Sequence, residues 1–281
     1  MAQDSVEPKL DAQFQQFTAK IDRELDRFLP NPTQHLSQIQ EAMRYSVLNG
    51  GKRIRPLLCL AVSEMLGGRE EEAIVPACAV EMVHSYSLIH DDLPCLDNDE
   101  FRRGVLTSHK KYGEAIALLA GDALLTLSFE VLSKLADSKK VHRLVAEFSK
   151  AAGIAGMVGG QVMELAIDPK ELDIPTLEAI HINKTGQLIK ASCLAGAITA
   201  GASEQAESHI LKFGEYLGFA FQIIDDILDG DGYLRFMSVH EAKDKASEVI
   251  EKGKKELVGF KNNQKLLQLA AFVLSRSATE S

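Results

Sequence analysis

The chain has 281 residues, of which 46% are apolar, and its 31 basic and 40 acidic residues give a net charge of −9. This length and composition allow one large hydrophobic core or two modest ones. The acidic balance argues against a general nucleic-acid-binding protein, whose binding surface would be basic.

The cysteines and the apolar segments indicate the compartment. The four cysteines form no C-x-x-C pair, which argues against a zinc site and indicates thiols in a reducing compartment. The N-terminal residues show no signal-peptide or transit pattern, and no apolar run approaches the ~20 residues of a membrane span. A cytoplasmic protein without a membrane span is therefore expected.

The hydrophobic period is helical along nearly the whole chain. The first apolar stripe ends before Pro30, and a second helix is predicted over 34–49. A third, with Pro56 in its first turn, is expected to stop near Gly67, and a fourth is expected to begin at Pro76. Further helices are predicted over about 113–137, 141–166, 176–200, 204–229 and 238–276.

No strand pattern with a two-residue period is found, and no composition break or internal repeat calls for a second domain. We therefore predict that residues 1–281 form a single all-α domain, a helical bundle around a central cavity. Glycines recur between residues 153 and 160. They are expected to permit close helix packing, with a ligand role as the alternative.

Two aspartate clusters lie in otherwise apolar sequence, HDDLPCLDND and FQIIDDILD. Their members are Asp91, Asp92, Asp97, Asp99, Asp225, Asp226 and Asp229. Carboxylates beside apolar segments resist desolvation and repel one another, so they require a metal ion or basic side chains nearby. Facing each other across a cavity, the two clusters would bind several Mg²⁺ ions and, through them, a diphosphate. The alternative for either cluster is a solvated acidic helix end.

Helical spacing places His84, Ser87 and Asp91 on one face of the fourth helix. Pro94 prevents simple continuation of that helix, so Asp97 is expected on a turn that folds back beside Asp91.

Basic residues complete the predicted anion site. GGKRIRP puts Lys52 and Arg55 after a Gly-Gly turn, where both could bind a phosphate, although the segment is not a P-loop. Arg102 and Arg103 follow the first aspartates and could bind phosphate or simply form ion pairs. The segment HINKTGQ and Gln222 are weak signals by themselves.

Five segments, GGKRIRP, DDLPCLD with the following RRG, GDALLTLSFEVL, KTGQL and FQIIDDILD, occur in the order and spacing of the trans-prenyl diphosphate synthases. The chain resembles their short-chain branch over almost its whole length, and most of all the bacterial farnesyl diphosphate synthases. The resemblance implies the isoprenoid synthase fold and a homodimer. It also implies head-to-tail condensation of isopentenyl diphosphate with dimethylallyl or geranyl diphosphate.

The resemblance also implies roles for individual residues. Three Mg²⁺ ions would be bound by Asp91, Asp97 and Asp225, supported by Asp92, Asp226 and Asp229. The allylic substrate and its leaving pyrophosphate would be held by Arg102, Lys184, Thr185 and Gln222. Isopentenyl diphosphate would be bound by Lys52, Arg55, His84 and Arg103.

Product length is predicted from Tyr86 and Ser87. Tyr86 lies five residues before Asp91, about 7.5 Å along the helix at ~1.5 Å per residue. A bulky residue there would block the growing tail, and this Tyr-Ser pair resembles the farnesyl synthases; the alternative is an ordinary core aromatic. We therefore predict mainly farnesyl diphosphate, with geranylgeranyl or geranyl diphosphate as alternative products.

One segment departs from the family. About twenty residues that relatives carry after the second aspartate cluster, including a lysine of the diphosphate site, are replaced by Gly230-Asp231-Gly232 before Tyr233. Either the loop is deleted, or the protein has a mobile segment that this sequence lacks. Two other functions stay open: a class I terpene cyclase, and a non-catalytic partner of an active synthase.

Overall fold

The computed structural model describes residues 12–168 and 170–279, and within them the chain forms a bundle of thirteen α-helices with one short hairpin. The helices are α1 Ala12–Phe28, α2 Ser37–Leu48, α3 Ile54–Met65, α4 Glu70–Asp91, α5 Ser108–Tyr112, α6 Glu114–Leu132, α7 Ser138–Ala152, α8 Met157–Ala166, α9 Ile174–His181, α10 Gln187–Ala200, α11 Glu204–Asp229, α12 Val239–Glu256 and α13 Gln264–Ser275. A π-helical turn, Ile182–Gly186, joins α9 to α10, and 3₁₀ turns span Gly232–Arg235 and Arg276–Thr279. The all-α prediction is confirmed.

α4 forms the centre of the core. It packs against α3, α6 and α10, and α11 connects this group to α12. Burial follows the apolar stripes of the sequence: Phe14, Ile21 and Leu25 of α1 are at most 1% exposed. Because α4 is buried on nearly all sides, its C-terminal turn delivers the first aspartates into the interior of the bundle rather than to its surface.

Three predicted helix boundaries are wrong. α4 begins at Glu70 and contains Pro76 in its interior, because three glutamates in the first turn favour an earlier start at the positive end of the helix dipole. The predicted helix 141–166 is interrupted at Gly153, whose ψ of −156° leaves the helical region. The predicted helix 238–276 is interrupted after α12, where Asn262 has a φ of +59°.

A two-stranded hairpin, not foreseen from the sequence, follows the first aspartate cluster. Strand β1 (Phe101–Arg102) pairs with β2 (Val105–Leu106), with Arg102 opposite Val105. The two turn residues, Arg103 and Gly104, have φ values of +53° and +77°, as a type I′ turn requires. The hairpin places the two neighbouring arginines in different surroundings.

α6 is the one helix within residues 12–168 and 170–279 that is long and apolar enough to match a membrane span. That match rests on length and composition alone, and a core helix meets the same test. α6 packs along α4 and α2, while its outer face leaves Leu118 and Leu119 about half exposed.

Candidate active site

The last turns of α4 form one wall of a cavity of about 740 Å³. His84, Ser87 and Asp91 all line it, as their helical spacing predicts. After α4 the chain turns back, and the Asp97 N–H donates a hydrogen bond to the Asp91 carbonyl oxygen at 2.9 Å. The backbone of residue 97 therefore lies beside that of residue 91, although only Asp91 of the two lines the cavity.

The protein makes both carboxylates harder to ionise, although Asp91 is only partly buried and Asp97 is exposed. Desolvation raises the pKa of Asp91 to about 6, and the neighbouring Asp97 adds to the shift while Lys184 opposes it. Desolvation also raises the pKa of Asp97, again against the effect of Lys184. A bound cation would therefore stabilise the ionised form of both carboxylates.

The π-helical turn carries Lys184 and Thr185 to the opposite wall. Lys184 Nζ lies 2.5 Å from Glu164 Oε2 of α8, so its charge is shared between that carboxylate and the first aspartate cluster. α8 reaches the turn because residue 160 is glycine: a Cβ there would lie 2.3 Å from the Lys184 backbone nitrogen. Close helix packing is therefore what this glycine provides.

We expect Gly160→Ala to lower kcat by about a hundredfold, because displacing Lys184 by about 1 Å would misalign a cation that lines the candidate active site. Stability should fall by about 1–3 kcal/mol from overpacking. Steady-state kinetics and urea unfolding measure the two effects. Gly259→Ala is the matched control, since nothing lies within 4 Å of a Cβ at that position. Unchanged kinetics in the Gly160 variant would show that Lys184 is not held by this contact.

α11 supplies the remaining wall with Phe221, Gln222 and Asp225. Asp225 Oδ1 lies 2.8 Å from an Arg276 guanidinium nitrogen, and Gln222 Nε2 lies 3.4 Å from Asp225 Oδ2. The Arg276 guanidinium also stacks over the Phe221 ring at 4.7 Å. Burial raises the pKa of Asp225 in spite of Arg276.

Four of the predicted metal ligands, Asp92, Asp97, Asp226 and Asp229, are not among the residues that line the cavity. Asp92 is 3% exposed and accepts a hydrogen bond from Arg102 Nε at 2.7 Å. Asp226 Oδ2 accepts the Tyr233 N–H at 2.8 Å, and its Oδ1 lies 3.4 Å from His181 Nε2. Asp229 is exposed at the end of α11. Arg102 itself lines the cavity and also lies 3.3 Å from Asp99.

The abbreviated segment after α11 is closed by a compact turn. Gly230 caps the helix with a φ of +71°, and the 3₁₀ turn Gly232–Arg235 follows directly. Tyr233 is fully buried, and its hydroxyl donates to Glu178 Oε1 at 2.8 Å. This short connection holds Asp226 against the turn instead of directing it to the cavity.

A second cavity, of about 690 Å³, holds the predicted isopentenyl diphosphate residues. Lys52, Arg55, His84 and Arg103 line it together with the backbone of Gly50-Gly51. Arg103 is directed there by the hairpin and donates to the Gly50 carbonyl oxygen at 2.5 Å.

Cations are crowded in this second cavity. Burial lowers the pKa of Arg55, with Arg103 adding to the effect, and burial likewise lowers the pKa of Arg103. Burial and the surrounding arginines hold the pKa of His84 well below its usual range, so its imidazole is neutral at pH 7. The second cavity therefore favours an anionic ligand.

The two cavities meet at a common wall. Arg55, His84, Arg103 and Phe221 line both of them. Arg53, which lies between the two predicted phosphate ligands of GGKRIRP, also borders the second cavity, but its side chain is buried and pairs with Asp22 and Glu81 at 2.8 Å each. Two anionic ligands, one in each cavity, would consequently lie side by side, with the arginines of the common wall between them.

Oxygen ligands of the type that Mg²⁺ prefers are present in the first cavity. Within residues 12–168 and 170–279, no three His, Cys, Asp or Glu side chains converge into a complete metal site. Mg²⁺ commonly takes only one or two carboxylates and completes its octahedron with water and phosphate oxygens. Asp91 with its neighbour Asp97, and Asp225 across the cavity, fit that requirement.

Sequence reasoning missed several residues in and around the site, among them Phe221, Glu164 and Arg276. Phe221 directly precedes Gln222 in the second cluster motif, so the motif itself could have indicated it. Gln161 of α8 lines the cavity, and Glu164 follows it by three residues, a helical spacing that could have linked Glu164 to the site. Arg276 belongs to no motif, and only the folded chain brings it to Asp225.

Comparison with known proteins agrees with this arrangement. A family model described as polyprenyl synthetase matches residues 36–252. A dimethylallyltranstransferase of Fischerella ambigua (strain UTEX 1903) is 41% identical over 264 aligned residues, covering 85% of this chain and 76% of that protein. The large subunit 1 of a heterodimeric chloroplastic geranylgeranyl pyrophosphate synthase of Arabidopsis thaliana is 40% identical, covering 87% of this chain and 74% of that protein.

A solved structure shows the same fold. The FPP/GFPP synthase of Zymomonas mobilis superposes with a TM-score of 0.89 at 35% identity, covering 93% of this chain and 97% of that one. The helical bundle with its acidic and cationic cavities thus defines an isoprenoid synthase fold. The chain belongs to the polyprenyl synthetase family, as a short-chain trans-prenyltransferase, and the resemblance inferred from its motifs is confirmed.

Proposed function

We propose that the protein condenses isopentenyl diphosphate head-to-tail with dimethylallyl or geranyl diphosphate and makes mainly farnesyl diphosphate. The common wall of the two cavities carries this proposal. It would hold an allylic diphosphate among the aspartates and a second diphosphate among the arginines, with their prenyl groups adjacent. A site for one substrate alone would not need the second, cationic cavity.

The chain's own side chains would orient both diphosphates and neutralise their charge. Lys184, Thr185, Gln222 and Arg102 would contact the allylic diphosphate, whose C–O bond breaks as negative charge collects on the leaving group. The double bond of isopentenyl diphosphate then forms the new C–C bond, and the released pyrophosphate takes the proton. The buried cavity would exclude water, which would otherwise capture the allylic cation.

Three Mg²⁺ ions are proposed, with Asp91, Asp97 and Asp225 as ligands. Bound there, Mg²⁺ would act as a Lewis acid that stabilises the charge on the leaving diphosphate. The placement of Asp92 and Asp226 supports a different role for those two residues, holding Arg102 and the turn at Tyr233 in position.

Cationic residues of the second cavity are proposed to bind isopentenyl diphosphate. Lys52, Arg55 and Arg103 would share its charge, and the neutral His84 would contribute a hydrogen bond. Binding of an anionic diphosphate would offset the burial, and the smaller repulsion between arginines, that lower the pKa of Arg55 and Arg103.

Incubation of the purified chain with Mg²⁺, isopentenyl diphosphate and dimethylallyl diphosphate tests the proposal. Elongated prenyl diphosphates are expected. A cyclised hydrocarbon from a single allylic substrate would identify a terpene cyclase instead. If product forms only after a second synthase is added, the chain is a non-catalytic partner. The heterodimeric Arabidopsis relative is the reason to test this alternative.

Tyr86→Ala is expected to shift the main product from farnesyl to geranylgeranyl diphosphate or longer. Tyr86 is 5% exposed and lines the first cavity with Ser87, so its removal extends the space for the tail. Product chromatography after dephosphorylation measures the shift. Tyr216→Ala, on a part of α11 away from the cavity lining, is the control. An unchanged farnesyl profile in the Tyr86 variant would contradict the assignment.

A homodimer is proposed through the outer face of α6, where Leu118 and Leu119 are about half exposed. Large exposed apolar residues on one helix commonly mark a subunit contact. Sedimentation equilibrium tests the dimer, and Leu118→Lys should weaken it. A cytoplasmic location is proposed from composition, and cell fractionation tests it.

A further inference from the structure

His90 closes the α4–α6 side of the first cavity next to Tyr86. The two rings meet edge to face, with centroids 5.6 Å apart and planes at 75°, and both line the cavity. Side chains on a helix lean toward its N-terminus, so the imidazole lies over the turn that carries Tyr86. The Tyr86 ring is thus held edge to face by a second ring that lies one helical turn nearer to Asp91.

The imidazole also bridges α4 and α6. His90 Nε2 lies 3.0 Å from the Leu118 carbonyl oxygen and 3.8 Å from Asp122 Oδ1. The Leu118 side chain is 46% exposed and that of Asp122 is 60% exposed, so the outer face of the bundle begins directly beyond this contact. At this depth, His90 separates the cavity from the outside of α6.

Gly121 makes room for that ring. A Cβ at position 121 would lie 2.2 Å from His90 Nε2 and 2.5 Å from Cδ2. An alanine there must therefore displace the imidazole, and the space available to it lies on the other side, toward Tyr86 and the cavity. The size of the side chain at position 121 therefore sets the position of the His90 imidazole.

We propose that His90 and Gly121 form a second determinant of product length, acting on the prenyl tail beside Tyr86. The inference rests on the proposed function. His90 would limit the cavity directly, and Gly121 would set how far the imidazole extends into it. Removing the ring should lengthen the product, whereas adding a methyl group at 121 should shorten it.

Product chromatography on the parent protein, on Tyr86→Ala and on four further variants, with dimethylallyl diphosphate as the starter, tests the inference. For His90→Ala we expect the ratio of products longer than farnesyl diphosphate to farnesyl diphosphate to rise tenfold or more, since one methylene in an apolar pocket discriminates about 10–200-fold. For Gly121→Ala we expect a comparable rise in the ratio of geranyl to farnesyl diphosphate. The His90→Ala/Gly121→Ala double variant should match His90→Ala, because the alanine methyl then has no ring to displace. His209→Ala, whose imidazole pairs with Glu256 outside the cavity lining, is the control.

The outcomes separate the two claims. If the parent protein makes no elongated product, the proposed function fails. If the parent elongates and Tyr86→Ala lengthens the product while His90→Ala and the double variant keep the parental profile, the inference alone fails. Equal shortening by Gly121→Ala and by the double variant would also overturn it, because Gly121 would then act without His90. Should Gly121→Ala not fold, the double variant still tests the link, since it removes the clash.

Discussion

Arg53→Met is expected to lower the free energy of unfolding by about 3–5 kcal/mol, the usual cost of removing one partner from a buried ion pair. Arg53 is 3% exposed and Glu81 is 2% exposed, and they pair at 2.8 Å. The substitution leaves Glu81 buried without its cation. It also removes a hydrogen bond to the Val47 carbonyl oxygen. Urea unfolding followed by circular dichroism measures the loss.

Two controls isolate the cause. The double variant Arg53→Met/Glu81→Met should recover much of the loss, since no unpaired charge stays in the core. Arg55→Met, two residues further on, is the second control. Burial lowers the pKa of Arg55, so the charged form of this arginine does not stabilise the fold. The substitution should therefore weaken isopentenyl diphosphate binding without lowering the free energy of unfolding. A single-variant loss below about 1 kcal/mol, the level of a surface pair, would refute the argument.

Asp91→Asn is expected to stabilise the metal-free protein while abolishing most of its activity. The native pKa of Asp91 is about 6, against an ordinary value of 3.8. The ionised carboxylate therefore costs folding free energy, roughly 2–3 kcal/mol at neutral pH, and asparagine removes that cost. Activity should fall at least about a hundredfold, because a proposed metal ligand is lost.

The pH dependence of this gain has a definite sign. Above about pH 6 the aspartate is ionised in both folded and unfolded chains, so the full difference between parent and variant is present. As the pH falls, the native state takes up its proton first and the difference shrinks, disappearing near pH 4. Thermal unfolding in EDTA between pH 4 and 8 follows it. Asp231→Asn, at an exposed carboxylate, is the control; equal stabilities of parent and Asp91→Asn at pH 7.5 would disprove the expected cost.

Local sequence was sufficient for much of the fold. α11 spans the predicted 204–229 because Ser203 caps its first turn and Gly230 ends it in the left-handed conformation. The face shared by His84, Ser87 and Asp91 followed from helical spacing alone. Those features depend on neighbours within one or two turns, which a single sequence records.

Other features depend on contacts between distant segments. In GGKRIRP the sequence alone does not distinguish the roles of the three basic residues. The left-handed backbone at Arg53, with a φ of +50°, turns its side chain inward, and this is seen only in the folded chain. The π-helical turn at Lys184 depends on the approach of α8 at Gly160, and the position of Asp226 depends on Tyr233. Periodicity predicts none of these, because each requires the position of a second element.

The ion pair between Arg276 and Asp225 makes the C-terminal turn part of the site chemistry. A preparation clipped before residue 276 would keep every motif aspartate and yet lose the cation beside one of them. Kinetic measurements on this protein therefore require chains that retain Arg276, since its loss would change the charge beside Asp225.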